Sequence, residues 1–184
     1  MPFYFNSVLI PENVANAFRF NGVDITQVFF NNASVWLQNL IPITTTGMFY
    51  GGLASTTNYN RVTRINSSGT LIGSETNVGT ARNYLAGVGL GTTGVFYGGT
   101  TSLNKVITNY NRVTRINSSG TLIGSETNVG TARYGVAGAG LGTTGVFYAG
   151  YNAATNRVTR INASGALIGS ETNVGTARAY LAGV

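Results

Sequence analysis

The chain has 184 residues, 43% hydrophobic and only 9% charged, with 26 glycines, no cysteine and no histidine. That is enough apolar content to bury a core and to exclude composition-driven disorder, while the missing residue types exclude a disulfide framework, thiolate metal sites and histidine general bases. The net charge of +6 comes from three recurring sets, Arg61, Arg64, Arg82 with Glu75, then Arg112, Arg115, Arg133 with Glu126, then Arg157, Arg160, Arg178 with Glu171; with no basic tail or run, no nucleic-acid partner is expected.

The opening Met1-Pro2-Phe3-Tyr4-Phe5 lacks the charged start of a secretory signal, and no apolar run reaches the ~18 residues of a membrane helix. Synthesis in a cytoplasm and no membrane insertion are therefore expected. Residues 1–42 contain all three prolines, Pro2, Pro11 and Pro42, and read as a separate β-hairpin module. Phe18-Arg19-Phe20 and Val23-Asp24-Ile25 flank Asn21-Gly22, a strong hairpin signal. A second hairpin is expected from Val28-Phe29-Phe30 and Val35-Trp36-Leu37 around Asn31-Asn32-Ala33-Ser34. So short a segment cannot bury that many aromatics alone, so Phe18, Phe20, Phe29, Phe30, Val35 and Trp36 are expected at an assembly interface.

From residue 43 onward the chain repeats itself. The stretch from Thr57 to Arg82 returns letter for letter from Thr108 to Arg133, and a third copy from Asn156 to Arg178 differs only at Ala163 and Ala166. Gly47-Met48-Phe49-Tyr50-Gly51-Gly52 likewise returns at Gly94–Gly99 and at Gly145–Gly150, the last with Ala149 in place of a glycine. Such a period defines a repeat architecture, here three units at about 43–91, 92–142 and 143–184. Within each unit, Arg61-Val62-Thr63-Arg64-Ile65, the turn cluster Asn66-Ser67-Ser68-Gly69 and Thr70-Leu71-Ile72-Gly73-Ser74 read as a hairpin. Val95-Phe96-Tyr97 and Tyr84–Leu90 read as two further strands, the second with small residues suited to close packing between sheets. The expected class is all-β, with four short strands per unit, the count of a propeller blade.

An apolar strand ending in Gly51-Gly52, a variable loop, a hairpin, and Gly79-Thr80-Ala81-Arg82 leading into the next strand resemble the kelch repeat. The resemblance implies that Gly51, Gly52, Gly98 and Gly99, with Arg82, Arg133 and Arg178, are architectural, carrying the strand end and the contact between blades. The hairpins depart from kelch in having Ile65 and Leu71 or Ile72 where an aromatic pair is usual. Three units are too few for a ring of about four to eight blades, so the array is expected to be a partial propeller, completed either by further chain beyond Val184 or by association of several copies.

The segment FRFNGVDITQVFFNNASVWLQ resembles the β-hairpin openings of structural proteins of tailed phages, notably of cyanobacterial and marine hosts. That resemblance implies a tail or baseplate fibre component in the virion, made in the host cytoplasm. It further implies a homo-oligomer, trimeric as such fibres often are, docked by residues 1–42 on other virion proteins and presenting residues 43–184 to host-surface glycans.

Enzymatic chemistry is not expected. Gly89-Leu90-Gly91-Thr92-Thr93-Gly94 and Gly140–Gly145 match a dinucleotide-binding spacing, but that motif needs a following helix and these glycines lead into a strand. Glu75, Glu126 and Glu171 occupy one equivalent position, a blade apart, too far for paired acid–base work; pairing each hairpin about its turn makes Glu75 and Arg61 a solvated cross-strand ion pair. The Asn-x-Ser triplets at Asn32, Asn66, Asn117 and Asn162 read as turn residues. No cofactor or metal is implied. The copies differ most just after their glycines, so Thr101, Asn104, Lys105, Tyr151 and Asn152 are candidate ligand-loop residues on a constant scaffold. A multivalent carbohydrate-binding lectin of propeller type is the alternative function, because tyrosine faces stack on sugars and repeated weak sites add by avidity; Tyr59, Tyr84, Tyr110, Tyr134 and Tyr180 are expected mainly to pack.

Overall fold

A computed structural model of the chain describes residues 46–103, 106–152 and 155–183, and, as backbone only, six short strands before them. The chain divides into two compact units, Met1–Ile43 and Thr44–Val184. All regular structure among the described residues is antiparallel β-sheet.

In the first unit β1 (Phe3–Phe5) pairs with β2 (Val8–Ile10), β3 (Arg19–Phe20) with β4 (Val23–Asp24), and β5 (Gln27–Phe30) with β6 (Ala33–Leu37). Phe20 pairs with Val23 across Asn21-Gly22, the two-residue connection that Asn-Gly favours. The next hairpin is tighter than its sequence suggested. Phe30 pairs with Ala33, so Ala33 and Ser34 belong to the return strand and not to the turn, and the register shifts between Val28 and Phe29. Phe18 lies outside the described residues, as do the side chains of Phe20, Phe29, Phe30, Val35 and Trp36.

The second unit is three sheets in succession. The first contains β7 (Thr46–Tyr50), β10 (Arg61–Asn66) and β11 (Thr76–Asn77), with a small hairpin of β8 (Leu53–Ala54) and β9 (Thr57–Asn58) between the first two. The second runs β12 (Asn83–Leu90), β13 (Thr93–Leu103), β15 (Arg112–Asn117), β16 (Thr127–Asn128), with β14 (Val106–Asn109) folded back on β13. The third runs β17 (Ala137–Leu141), β18 (Thr144–Tyr148), β19 (Thr155–Asn162), β20 (Thr172–Arg178). None of the sheets closes on itself. Sheets and sequence repeats are out of phase: β12 pairs with β13 from Asn83↔Thr100 to Leu90↔Thr93, joining the second sheet although its residues end the first repeat. The dinucleotide-like glycines are the reason, since Gly91 takes a left-handed φ of 60° and closes a tight turn between two strands.

The Asn-Ser-Ser-Gly turns are organised by their asparagines. Asn66 Oδ1 accepts from the Ser68 and Thr70 amides at 3.1 and 2.8 Å, and Asn117 and Asn162 repeat the arrangement, which is how Asx turns replace backbone partners. The return strand is not continuous. Ile65 bridges Leu71, Gly73 then turns with φ 65°, and the ladder resumes two residues out of step at Val62↔Thr76. That irregularity carries Glu75 alongside Thr63 and Arg61.

The core lies between sheets. Tyr50, Val62, Phe96 and Ile116 are buried between the first and second; Val88, Tyr97, Val113, Phe147 and Ile161 are among those buried between the second and third. Each such apolar side chain contributes about 1.5–3 kcal/mol. Glycine makes the approach close enough: a Cβ on Gly138 would sit 3.1 Å from the Gly87 carbonyl oxygen and 2.9 Å from Val88.

Candidate functional site

Two features stand out from this scaffold: the polar junctions between sheets, and a tyrosine cluster left on the surface.

Each junction begins at a glycine pair. Gly99 N donates to the Arg133 carbonyl at 3.0 Å, and a Cβ on Gly98, whose φ is 75°, would lie 2.7 Å from that same oxygen. Gly51 and Gly52 hold the Arg82 carbonyl in the same way, and Gly150 donates to that of Arg178. With its backbone pinned, the arginine side chain reaches forward into the next sheet. Arg82 Nη1 meets Glu126 at 3.0 Å and its Nη2 donates to Thr114 at 2.7 Å; Arg133 meets Glu171 at 3.1 Å and Thr159 at 2.7 Å. Both guanidiniums are fully buried. Arg133 additionally donates from Nε to the Ala149 carbonyl at 2.7 Å and from Nη2 to that of Phe147 at 3.2 Å.

The glutamates correct one expectation. Glu75 does form a half-exposed pair with Arg61 at 3.2 Å. Glu126 and Glu171, however, are only 12% and 9% exposed, and each receives two arginines, one from its own hairpin and one from the preceding sheet. They are buried inter-sheet pairs because stacking delivers Arg82 and Arg133 onto them. Burial pushes the Glu171 carboxyl up, but the Thr159 and Thr131 hydroxyls, the Thr131 amide and Arg133 outweigh it and hold it down at about 2. Against the same upward push, Thr114, Thr80 and Arg82 hold Glu126 below its ordinary value. Pairing and hydrogen bonding of this kind let a buried charge persist, although Arg82 Nε, unlike Arg133 Nε, is left without a partner among the described residues.

The tyrosine cluster lies where successive sheets begin. Gly135 N donates to the Tyr84 carbonyl at 2.7 Å and Tyr180 N to the Gly135 carbonyl at 2.8 Å, so equivalent positions of the three repeats are tied into one line. All three are left-handed, with φ of 51° at Tyr84, 60° at Gly135 and 57° at Tyr180. For a tyrosine that conformation costs about 1–3 kcal/mol. The strain accompanies a gathering of rings: Tyr84, Tyr134 and Tyr180 have mutual centroid distances of 6.1, 6.1 and 6.2 Å, and Tyr151 stands 5.4 Å from Tyr134. Tyr84, Tyr151 and Tyr180 are exposed. The rings meet mostly edge to face, and such a group of part-exposed tyrosines offers an amphipathic surface of the kind suited to the apolar face and hydroxyls of a sugar ring.

Of the expected ligand-loop residues, Tyr151 belongs to this cluster, and Asn152 beside it donates to the Ala132 carbonyl at 3.3 Å. Thr101 lies on β13, its hydroxyl 3.3 Å from that of Tyr110, and Asn104 and Lys105 lie outside the described residues. Tyr84, Tyr134 and Tyr180, expected mainly to pack, do pack on one another, and Gly135 stands where the aligned copies have Tyr84 and Tyr180. No group of residues suited to holding a metal occurs among those described. No protein-family model matches the chain, and no curated protein matches it.

Proposed function

We propose that the chain is a structural protein of a phage virion, a tail or baseplate fibre component that docks through residues 1–42 and carries its sheets outward toward the host surface. The division into a hairpin unit and a separate stack of three sheets built from near-identical sequence repeats is the observation that carries this reading. In the stack, the buried charges are spent on holding one sheet to the next, a use suited to reach and mechanical support. The phage-like hairpin segment gives the same direction, and the strand order β12-β13-β15-β16 fits a kelch-like unit of an incomplete propeller. Its partners are then other virion proteins, further copies of itself and a host-surface glycan. Deleting residues 1–42 in the phage is expected to remove the protein from purified particles, as read by mass spectrometry. Particles that retain the truncated chain at normal stoichiometry sink the docking assignment.

The exposed tyrosines favour a second reading, a multivalent lectin of propeller type. Tyr84→Gly separates the ring from the fold, because glycine already serves at the equivalent Gly135. The variant is expected to keep its melting temperature, with stability changed by no more than about 1 kcal/mol, while losing retention on immobilised glycans. Unchanged retention removes the cluster as the sugar contact.

A further inference from the structure

Every junction in the stack has the same two halves. The forward half of a sheet offers a tyrosine, an arginine from the strand-linking segment, and a second arginine that lies under the next hairpin turn. The backward half offers a phenylalanine, a threonine, a glutamate and a turn glycine. At the first junction Tyr50 meets Phe96 with ring centroids 5.3 Å apart, Arg82 meets Glu126 and Thr114, and Arg64 lies 3.2 Å from where a Cβ on Gly120 would be. At the second, Tyr97 meets Phe147 at 5.2 Å, Arg133 meets Glu171 and Thr159, and Arg115 lies 3.0 Å from the Gly165 position.

Both ends of the stack carry one half without the other. On the first sheet Phe49 is 58% exposed, against 5% for Phe96 and 0% for Phe147. Glu75 keeps the partners from its own hairpin, Arg61 and Thr63, but among the described residues has no arginine from a preceding sheet. A Cβ on Gly69 would meet nothing within 4 Å. The third sheet is its complement: Arg178 is exposed yet already lies over the Tyr148 ring, 5.9 Å from its centroid, as Arg82 and Arg133 lie over Tyr50 and Tyr97. Arg160, equivalent to Arg64 and Arg115, is exposed as well.

We infer that the occupant of each end is a second copy of this chain, joined head to tail, with Arg178 and Tyr148 of one copy on Glu75, Thr63 and Phe49 of the next. The charges are complementary, and the interface is one the chain builds twice within itself. Such a contact is heterologous, so it propagates into a ring or a filament according to the rotation per sheet. The inference does not draw on the functional reading and holds for a fibre component or a lectin alike.

The test is sedimentation velocity of the full 184-residue chain over a range of concentration and salt. The parent is expected to form a concentration-dependent series of oligomers weakened by salt. Glu75→Arg and Arg178→Glu are each expected to weaken association at least about tenfold, with circular dichroism unchanged because both sites are exposed. An equimolar mixture of the two variants is expected to associate again, since every mixed junction restores opposite charges. Phe49→Ser, which alters no charge, is expected to weaken association independently. A parent chain that stays monomeric at every concentration overturns the inference, as does association that neither charge reversal alters.

Discussion

Arg133→Met is expected to lower stability by about 3–5 kcal/mol, a fall of about 6–20 °C in melting temperature for a chain of this size. The side chain is fully buried and its removal strips Glu171 of the cation from the preceding sheet. It also leaves the Ala149 and Phe147 carbonyls without their donor, and an unsatisfied buried acceptor costs more than the bond itself contributed. Arg178→Met, in the same Gly-Thr-Ala-Arg context but at the exposed end of the stack, is expected to change monomer stability by less than about 0.5 kcal/mol. Thermal melts of both variants in dilute solution check the pair of outcomes. Similar losses for the two would mean that the local sequence, and not the junction, sets the effect.

Acid is expected to dismantle the stack before neutral pH or mild alkali does. Glu171 titrates at about 2 in the fold against an ordinary 4.5, and Glu126 is also lowered. A carboxyl whose folded value is depressed binds protons more readily in the unfolded chain. Its contribution is therefore complete above pH 4.5 and is lost as pH falls from there toward 2. Urea midpoints measured from pH 6 down to pH 2 are expected to fall steeply through this window, and Glu171→Gln is expected to flatten the fall. A profile that the substitution leaves unchanged would place the acid sensitivity elsewhere. At the other extreme, burial raises the Tyr97 phenol above 10. A group whose folded value is raised gives stability that is present below its unfolded value and lost as pH climbs through the folded one, so a second decline is expected above pH 10.

The β class and the hairpins were legible because β-branched alternation and Asn-Ser-Ser-Gly are local signals, and the small residues of Tyr84–Leu90, Gly87 among them, pointed to close packing between sheets. Phase was less legible: the repeat reads as one unit from strand to strand, but Gly91-Thr92 ties the last strand of one copy to the first of the next. Least visible was the second arginine on Glu126 and Glu171. The hairpin pattern reveals only the partner across the turn, whereas Arg133 reaches Glu171 from 38 positions away along the chain. The tyrosine cluster was hidden for a different reason, since a left-handed backbone at Tyr84 and Tyr180 leaves no periodic trace, and only the Gly135 in register with them hints at it.

The uniformity of the junctions bears on how such a protein changes over generations. The two junctions share their principal pairs, arginine on glutamate and threonine and tyrosine on phenylalanine, so a gene that gains or loses one whole repeat is expected to keep those pairs. The number of sheets, and with it the span of the array, is then a heritable variable that shifts in unit steps with no compensating substitutions. The positions just after each glycine pair, Tyr151 and Asn152 among them, lie outside these pairs and are free to diversify copy by copy.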